Sequence, residues 1–104
     1  MAKASRLKLH EELCTLLGSR NVYFQPPESI KMKYPCIVYS LSNLDYKHAN
    51  NGVYKSTKAY EVIIIDPDPD GNIYDKLPEH FQMCRFNREY TADDLNHYAF
   101  TIFY

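Results

Sequence analysis

Tryptophan is absent from this 104-residue chain, and glycine occurs only three times, at Gly18, Gly52 and Gly71. Phosphate-cradling loops need glycines that let backbone amides close on the ligand, so a P-loop or dinucleotide fingerprint is excluded. No Gly-x-Ser-x-Gly occurs, which removes the strained nucleophile turn of serine hydrolases. Cysteine is scarce and odd in number: Cys14, Cys36 and Cys84 are widely spaced, with no Cys-x-x-Cys. They read as buried thiols of a reducing compartment rather than a disulfide framework. His80 and Cys84 are four apart and could share a helix face, with Cys36 approaching in space, but zinc wants four ligands in short paired spacings. No apolar run approaches the ~18 residues that span a bilayer. The basic start, Lys3 to Arg6, leads into a segment holding Glu11 and Glu12, which does not fit a secretory signal. Net charge is -1, so no global attraction to nucleic acid or acidic membranes is expected.

Tyrosine is abundant, with ten copies beside five phenylalanines. Its large apolar face and polar tip suit half-buried sheet surfaces and protein interfaces alike. With 45% hydrophobic and 24% charged residues the chain fits one globular domain.

Leu9, Leu13, Leu16 and Leu17 recur on one helical face, predicting a helix over Ser5 to Leu17 that Gly18 stops. Asn21 to Gln25 reads as a short strand ended by Pro26-Pro27, and a loop continues to Lys33. A second strand is expected over Cys36 to Leu41, then a polar stretch, Asp45 to Gly52, with Asn50-Asn51-Gly52 as turn signal. Val62 to Ile65, the most apolar run, puts a third strand, Lys58 to Ile65, centrally in the sheet. A short helix follows at Ile73 to Met83, with Pro78 inside. The fourth and fifth strands fall at Arg85 to Tyr90 and Asn96 to Tyr104, joined by a turn at Thr91 to Asp94. Alternation in the last strand puts Tyr98, Phe100, Ile102 and Tyr104 on one face. The resulting fold class is α+β: a mostly antiparallel five-stranded sheet with two helices on one face, in the order α-β-β-β-α-β-β.

Asp66-x-Asp68-x-Asp70-Gly71 begins like a calcium loop, in which alternating carboxylates converge on one ion. The twelfth position, which needs a bidentate glutamate, is Leu77, and Pro67 and Pro69 stiffen the segment. A rigid turn in which Asp70 or Asn72 caps the helix is the better reading, so Asp66, Asp68 and Asp70 remain weak metal candidates and no cofactor is expected. Asp93, Asp94 and His97 could suggest acid–base work, but Thr91-x-x-Asp94 has a local capping pattern. Basic residues gather at Lys31 and Lys33 and at Arg85 and Arg88. The latter pair interleaves with Phe86 and Tyr90, a mixture that on a sheet can bind single-stranded nucleic acid, although no RRM or KH signature accompanies it.

Several stretches together resemble a known family. They are Arg6 to Leu13, Asn21-Val22-Tyr23-Phe24-Gln25-Pro26-Pro27 with Tyr34 to Tyr39, the Tyr60 to Asp70 strand and turn, and Tyr90 to His97 before a final aromatic strand. The chain is similar to the small tail-completion or tail-terminator proteins of long-tailed bacteriophages, also labelled minor capsid or head-tail joining proteins. The resemblance spans nearly the whole chain and agrees in element order. It implies a virion protein without enzymatic activity, made in the bacterial host cytoplasm and placed at the tail-head junction. It further implies a homo-oligomeric ring, often a hexamer, that stops tail-tube polymerisation and presents a surface to the head connector and neck proteins, with DNA passing through.

A ring needs a heterologous interface. The segment from Asp45 to Lys58, containing Tyr46, His48, Asn50, Asn51, Tyr54 and Lys55, is long for a hairpin connection and poor in core residues, so it is expected to project and meet neighbours. The proline loop, with Pro26, Pro27, Lys31 and Lys33, is the second expected contact region. A small nucleic-acid-binding or regulatory module using the sheet aromatics with Arg85 and Arg88 is the alternative. A metal-dependent enzyme subunit built around Asp66 to Asp70 is more remote.

Overall fold

The computed structural model describes residues 2–27, 29–49 and 52–104, and for 2–5, 43–49 and 52–57 it describes the backbone alone. Helix α1, Ala2–Leu17, is followed by strands β1, Val22–Phe24, β2, Cys36–Ala49, and β3, Gly52–Asp66. Helix α2, Ile73–His80, precedes β4, Cys84–Ala92, and β5, Leu95–Phe103. The five strands form one sheet in the order β1-β2-β3-β5-β4. β1 runs parallel to β2 at one edge, and every other pairing is antiparallel. The apolar run of β3 is central, as its lack of a polar face requires.

Cross-strand partners share a face, so the register sorts the side chains. Ile37 pairs with Ile64 and Tyr39 with Val62. Those two β3 residues pair onward with Tyr98 and Phe100, and Tyr60 pairs with Ile102. All eight are buried, in one cluster with Leu9 and Leu13 of α1 and Leu77 of α2. Both helices therefore lie on the same side of the sheet. Leu9, Leu13 and Leu77 are completely enclosed, while Leu16 and Leu17 pack at the cluster's margin. Gly18, at φ +82, ends α1 and donates its N–H to the Cys14 carbonyl. A residue with a side chain would be strained in that left-handed conformation.

The opposite, helix-free face carries Tyr23, Val38, Ile63, Ala99 and Arg88 in one cross-strand row. Phe24 leads into Gln25, whose φ of +44 turns the chain out of β1. The Gln25 side-chain oxygen accepts from the Leu41 N–H at 3.3 Å.

Two boundaries depart markedly from the sequence expectation. β2 continues past Leu41 to Ala49, and β3 begins at Gly52 rather than near Lys58. The stretch expected to be a loose connection is a paired ribbon, in register from Asp45↔Thr57 to Ala49↔Gly52, with bulges between Leu41 and Asn43 and between Lys47 and His48. Shorter differences occur at α2, which stops at His80 instead of Met83, and at β4, which extends to Ala92. The chain spans 51 Å along its longest axis against 25 and 23 Å across.

Candidate assembly surface

The ribbon follows from the unequal lengths of neighbouring strands. β1 covers β2 only from Ile37 to Tyr39, and β5 covers β3 only from Ala59 to Asp66. Beyond those limits β2 and β3 have only each other as strand partners among the described residues. Residues 40–49 of β2 and 52–58 of β3 run on, and the β3 extension alone reaches roughly 23 Å at ~3.3 Å per residue. Of the expected contact residues, Tyr46 pairs with Ser56, Lys47 with Lys55 and His48 with Val53, while Tyr54 lies between Lys55 and Val53 on β3. Asn50 and Asn51 lie outside the described residues.

The proline loop stands apart from the ribbon. Pro26 is half-buried, and Pro27, Lys31 and Lys33 are exposed. Lys33 donates its N–H to the Tyr23 hydroxyl at 3.2 Å, and Ile30 donates to the Pro27 carbonyl at 3.1 Å. Ile30 and Tyr34, each 41% exposed, leave an apolar patch on this loop.

Asp66 to Gly71 forms successive side-chain turns. The Asp66 carboxylate accepts from the Asp68 N–H and the Asp68 carboxylate from the Asp70 N–H, both at 2.9 Å. Asp66 is buried, and its backbone carbonyl accepts from the Asn96 amide at 3.0 Å. Among the described residues no group of three His, Cys, Asp or Glu side chains is placed to hold an ion. The helix-capping part of the expectation is corrected: Asn72, not Asp70, sits at the N-cap of α2, and it makes no side-chain cap bond.

His80, Cys84 and Cys36 are not brought together on a helix. α2 ends at His80, Cys84 opens β4 opposite Ile102, and Cys36 pairs with Ile65 on the other face. Burial pushes the Cys36 thiol up to about 11. The Thr91 to Asp94 segment is a two-residue hairpin turn rather than a capping box. Asp93 and Asp94 have φ of +53 and +61, and Ala92 pairs with Leu95. Positive φ at both central residues is the turn geometry that matches strand twist, and aspartate tolerates it.

Arg85 and Arg88 are three apart and would face opposite sides of a regular strand. A bulge between Phe86 and Arg88 instead pairs Arg85 with Thr101 and Arg88 with Ala99, on one face. The Arg88 guanidinium lies 5.0 Å from the Tyr90 ring, and Tyr90 stacks on His97 at 4.7 Å. Phe86 leaves this group. It pairs with Phe100 on the helix side, where the two rings meet edge to face.

Two features gave no sequence signal. Glu12 of α1 joins His80 of α2 at 2.7 Å and accepts the hydroxyl proton of Tyr104, tying residues 68 and 92 positions away. Burial pushes the Glu12 carboxyl up, but the hydrogen bonds from Tyr104 and His80 outweigh it and hold the group below its usual range. Burial and the Glu12 bond both push the Tyr104 phenol well up. The second feature is an aromatic groove of about 370 Å³ between α2 and the β4–β5 hairpin, lined by Tyr74, Pro78, Phe86 and Phe100 with Asp75 and Glu89.

Compared with protein-family models, curated proteins and solved structures, the chain matches none.

Proposed function

We propose that this chain is a structural assembly protein of a phage virion, one that forms a ring at the head-proximal end of the tail tube and joins it to the head connector. In this reading it performs no catalysis. The observation that supports it is the β2–β3 ribbon. Two strands without a third strand or a helix against them are marginal in water, and their outer edges present rows of unpaired N–H and C=O groups. Such edges are stabilised when a neighbour adds a strand or packs against them, and a ring of identical copies supplies that neighbour at every position. The family resemblance supplies the choice of assembly, and the exposed proline loop offers a second surface for a tail or neck protein.

The test removes the ribbon without touching the core. Replacing residues 45–57 by Asn-Gly keeps the Leu44↔Lys58 pair and closes it with a favoured two-residue turn. The shortened chain should keep its helical circular dichroism signal, lose only strand signal, and unfold cooperatively as a monomer. Rings seen by electron microscopy with the intact chain, alone or on purified tail tubes, should disappear. Rings that persist would end the proposal.

A second reading draws on the Arg88–Tyr90–His97 stack beside Arg85. Basic groups and stacked rings on an uncovered sheet face suit single-stranded nucleic acid. Fluorescence anisotropy with labelled oligonucleotides separates the two: salt-sensitive binding lost in Arg85→Ala/Arg88→Ala would favour the second.

A further inference from the structure

Charge is distributed unevenly along β3. The ribbon from 44 to 58 contains Lys47, Lys55 and Lys58 against Asp45 alone. Past the other end of the strand, 66 to 79 contains Asp66, Asp68, Asp70, Asp75 and Glu79 against Lys76. Basic and acidic poles thus stand at opposite ends of the strand that runs from Gly52 to Asp66.

Lys47 and Lys55 are direct cross-strand partners, and like charges directly opposite each other are destabilising. At the acidic pole, the groove has aromatic walls, Asp75 and Glu89 among its lining residues, and no basic residue lining it. Phe86 is 54% exposed there although its edge meets Phe100. Aromatic faces take the aliphatic stem of a lysine, and carboxylates take its ammonium. A ribbon cannot reach the groove of its own chain, because the two lie at opposite ends of β3.

We infer that the Lys47/Lys55 segment of one copy docks in the Tyr74–Phe86–Phe100 groove of the next, with Asp75 and Glu89 receiving its lysines. The contact is heterologous, one end of each copy on the other end of its neighbour, so it propagates and closes only if the rotation allows. This names the two faces of the ring proposed above and rests on that reading.

Sedimentation velocity on the full chain at low salt, across a concentration series, provides the test. Wild type should associate, and should associate at least tenfold more weakly in 0.5 M salt, where exposed charges are screened. Asp75→Lys/Glu89→Lys should lose association, and so should Lys47→Glu/Lys55→Glu, each with unchanged circular dichroism. Mixing the two variants should restore it, because each then meets a groove and a ribbon of opposite sign. Wild type that stays monomeric, variants that associate like wild type, or a mixture that stays monomeric would overturn the inference. So would loss of duplex-DNA binding in Lys47→Glu/Lys55→Glu with self-association unchanged, which would give the lysines to nucleic acid. Open chains that obey the charge swap would uphold this contact and refute the closed ring. Closed rings indifferent to charge reversal would do the opposite.

Discussion

Gly71 is the position where the smallest chemical change should have a readable consequence. A methyl group added there would lie 2.1 Å from the Asp66 Oδ2, 3.1 Å from its Cγ and 3.3 Å from the Asp68 carbonyl oxygen. The backbone of Gly71 lies outside the left-handed region, so alanine meets no conformational penalty. The conflict is with one side chain, and that side chain is not free to leave: Asp66 is 5% exposed and holds the Asp68 N–H through its other oxygen. Displacing it costs a hydrogen bond to a charged group, about 1.5–3 kcal/mol. Alanine also restricts the unfolded chain, which returns about 0.4–1 kcal/mol. Gly71→Ala should therefore destabilise by about 1–2 kcal/mol. For a domain near this size each kcal/mol lowers Tm by roughly 4–8 °C.

A double-mutant cycle isolates the cause. Asp66→Ala is itself destabilising, because it abolishes the turn bond, but it removes the atoms the new methyl would strike. In that background Gly71→Ala should be neutral or slightly stabilising, giving a coupling energy of about 1–3 kcal/mol. Urea titrations followed by circular dichroism measure all four proteins. Equal costs of Gly71→Ala in both backgrounds would refute the steric account.

Other expectations follow from burial and titration. Leu13→Ala empties a fully enclosed site and should cost about 2–5 kcal/mol in urea titrations, whereas Leu7→Ala, 48% exposed, should stay within about 0.5 kcal/mol. Glu12 titrates below its ordinary 4.5 in the folded state. Its stabilisation is complete above that value and is lost as pH falls through the folded value, so Glu12→Gln should flatten the acid limb of Tm between about pH 5 and 2; an unchanged limb would show that the tie to His80 and Tyr104 is idle. The Cys36 thiol is enclosed and pushed up to about 11, so at pH 8 a thiol reagent should label it only at the rate of unfolding, later than the half-buried Cys84. Mass spectrometry of the labelled peptides reads the order.

The core was legible because burial leaves a periodic trace. Leu9 and Leu13 stand one turn apart on α1, and Tyr98, Phe100 and Ile102 alternate along β5. In each case the apolar spacing equals the period of the backbone that buries it. The β-branched run at Val62 to Ile65 located the central strand for the same reason. The turn after Asp66 was legible as rigid, but the partner of each carboxylate was not. Asx turns bond a side chain to the N–H two residues on, and the same sequence is equally compatible with a helix cap.

The elements on which the proposed assembly rests left no such trace. Residues 43–49 and 52–57 are mostly polar, with Leu44, Tyr46, Val53 and Tyr54 scattered among them. With no apolar alternation to mark it, the ribbon is fixed by register handed on from the buried pairs Ile37↔Ile64 and Tyr39↔Val62. The bulge that aligns Arg85 with Arg88 is likewise a property of the pairing with β5, where two residues oppose one. Glu12, His80 and Tyr104 meet only because α1 and α2 pack on the same sheet face. Solvent-facing chemistry is therefore set here by register and layer contacts rather than by local pattern. Register has a direct consequence for the ribbon. Ser42 is the extra residue of the bulge between the pairs Leu41↔Tyr60 and Asn43↔Ala59, and a bulge bends its strand and increases the local twist. Deleting Ser42, whose hydroxyl donates to the Ala59 carbonyl at 3.0 Å, should keep those pairs but remove the bend and re-aim the ribbon relative to the core. The domain should still fold, and association should fall as far as in Lys47→Glu/Lys55→Glu.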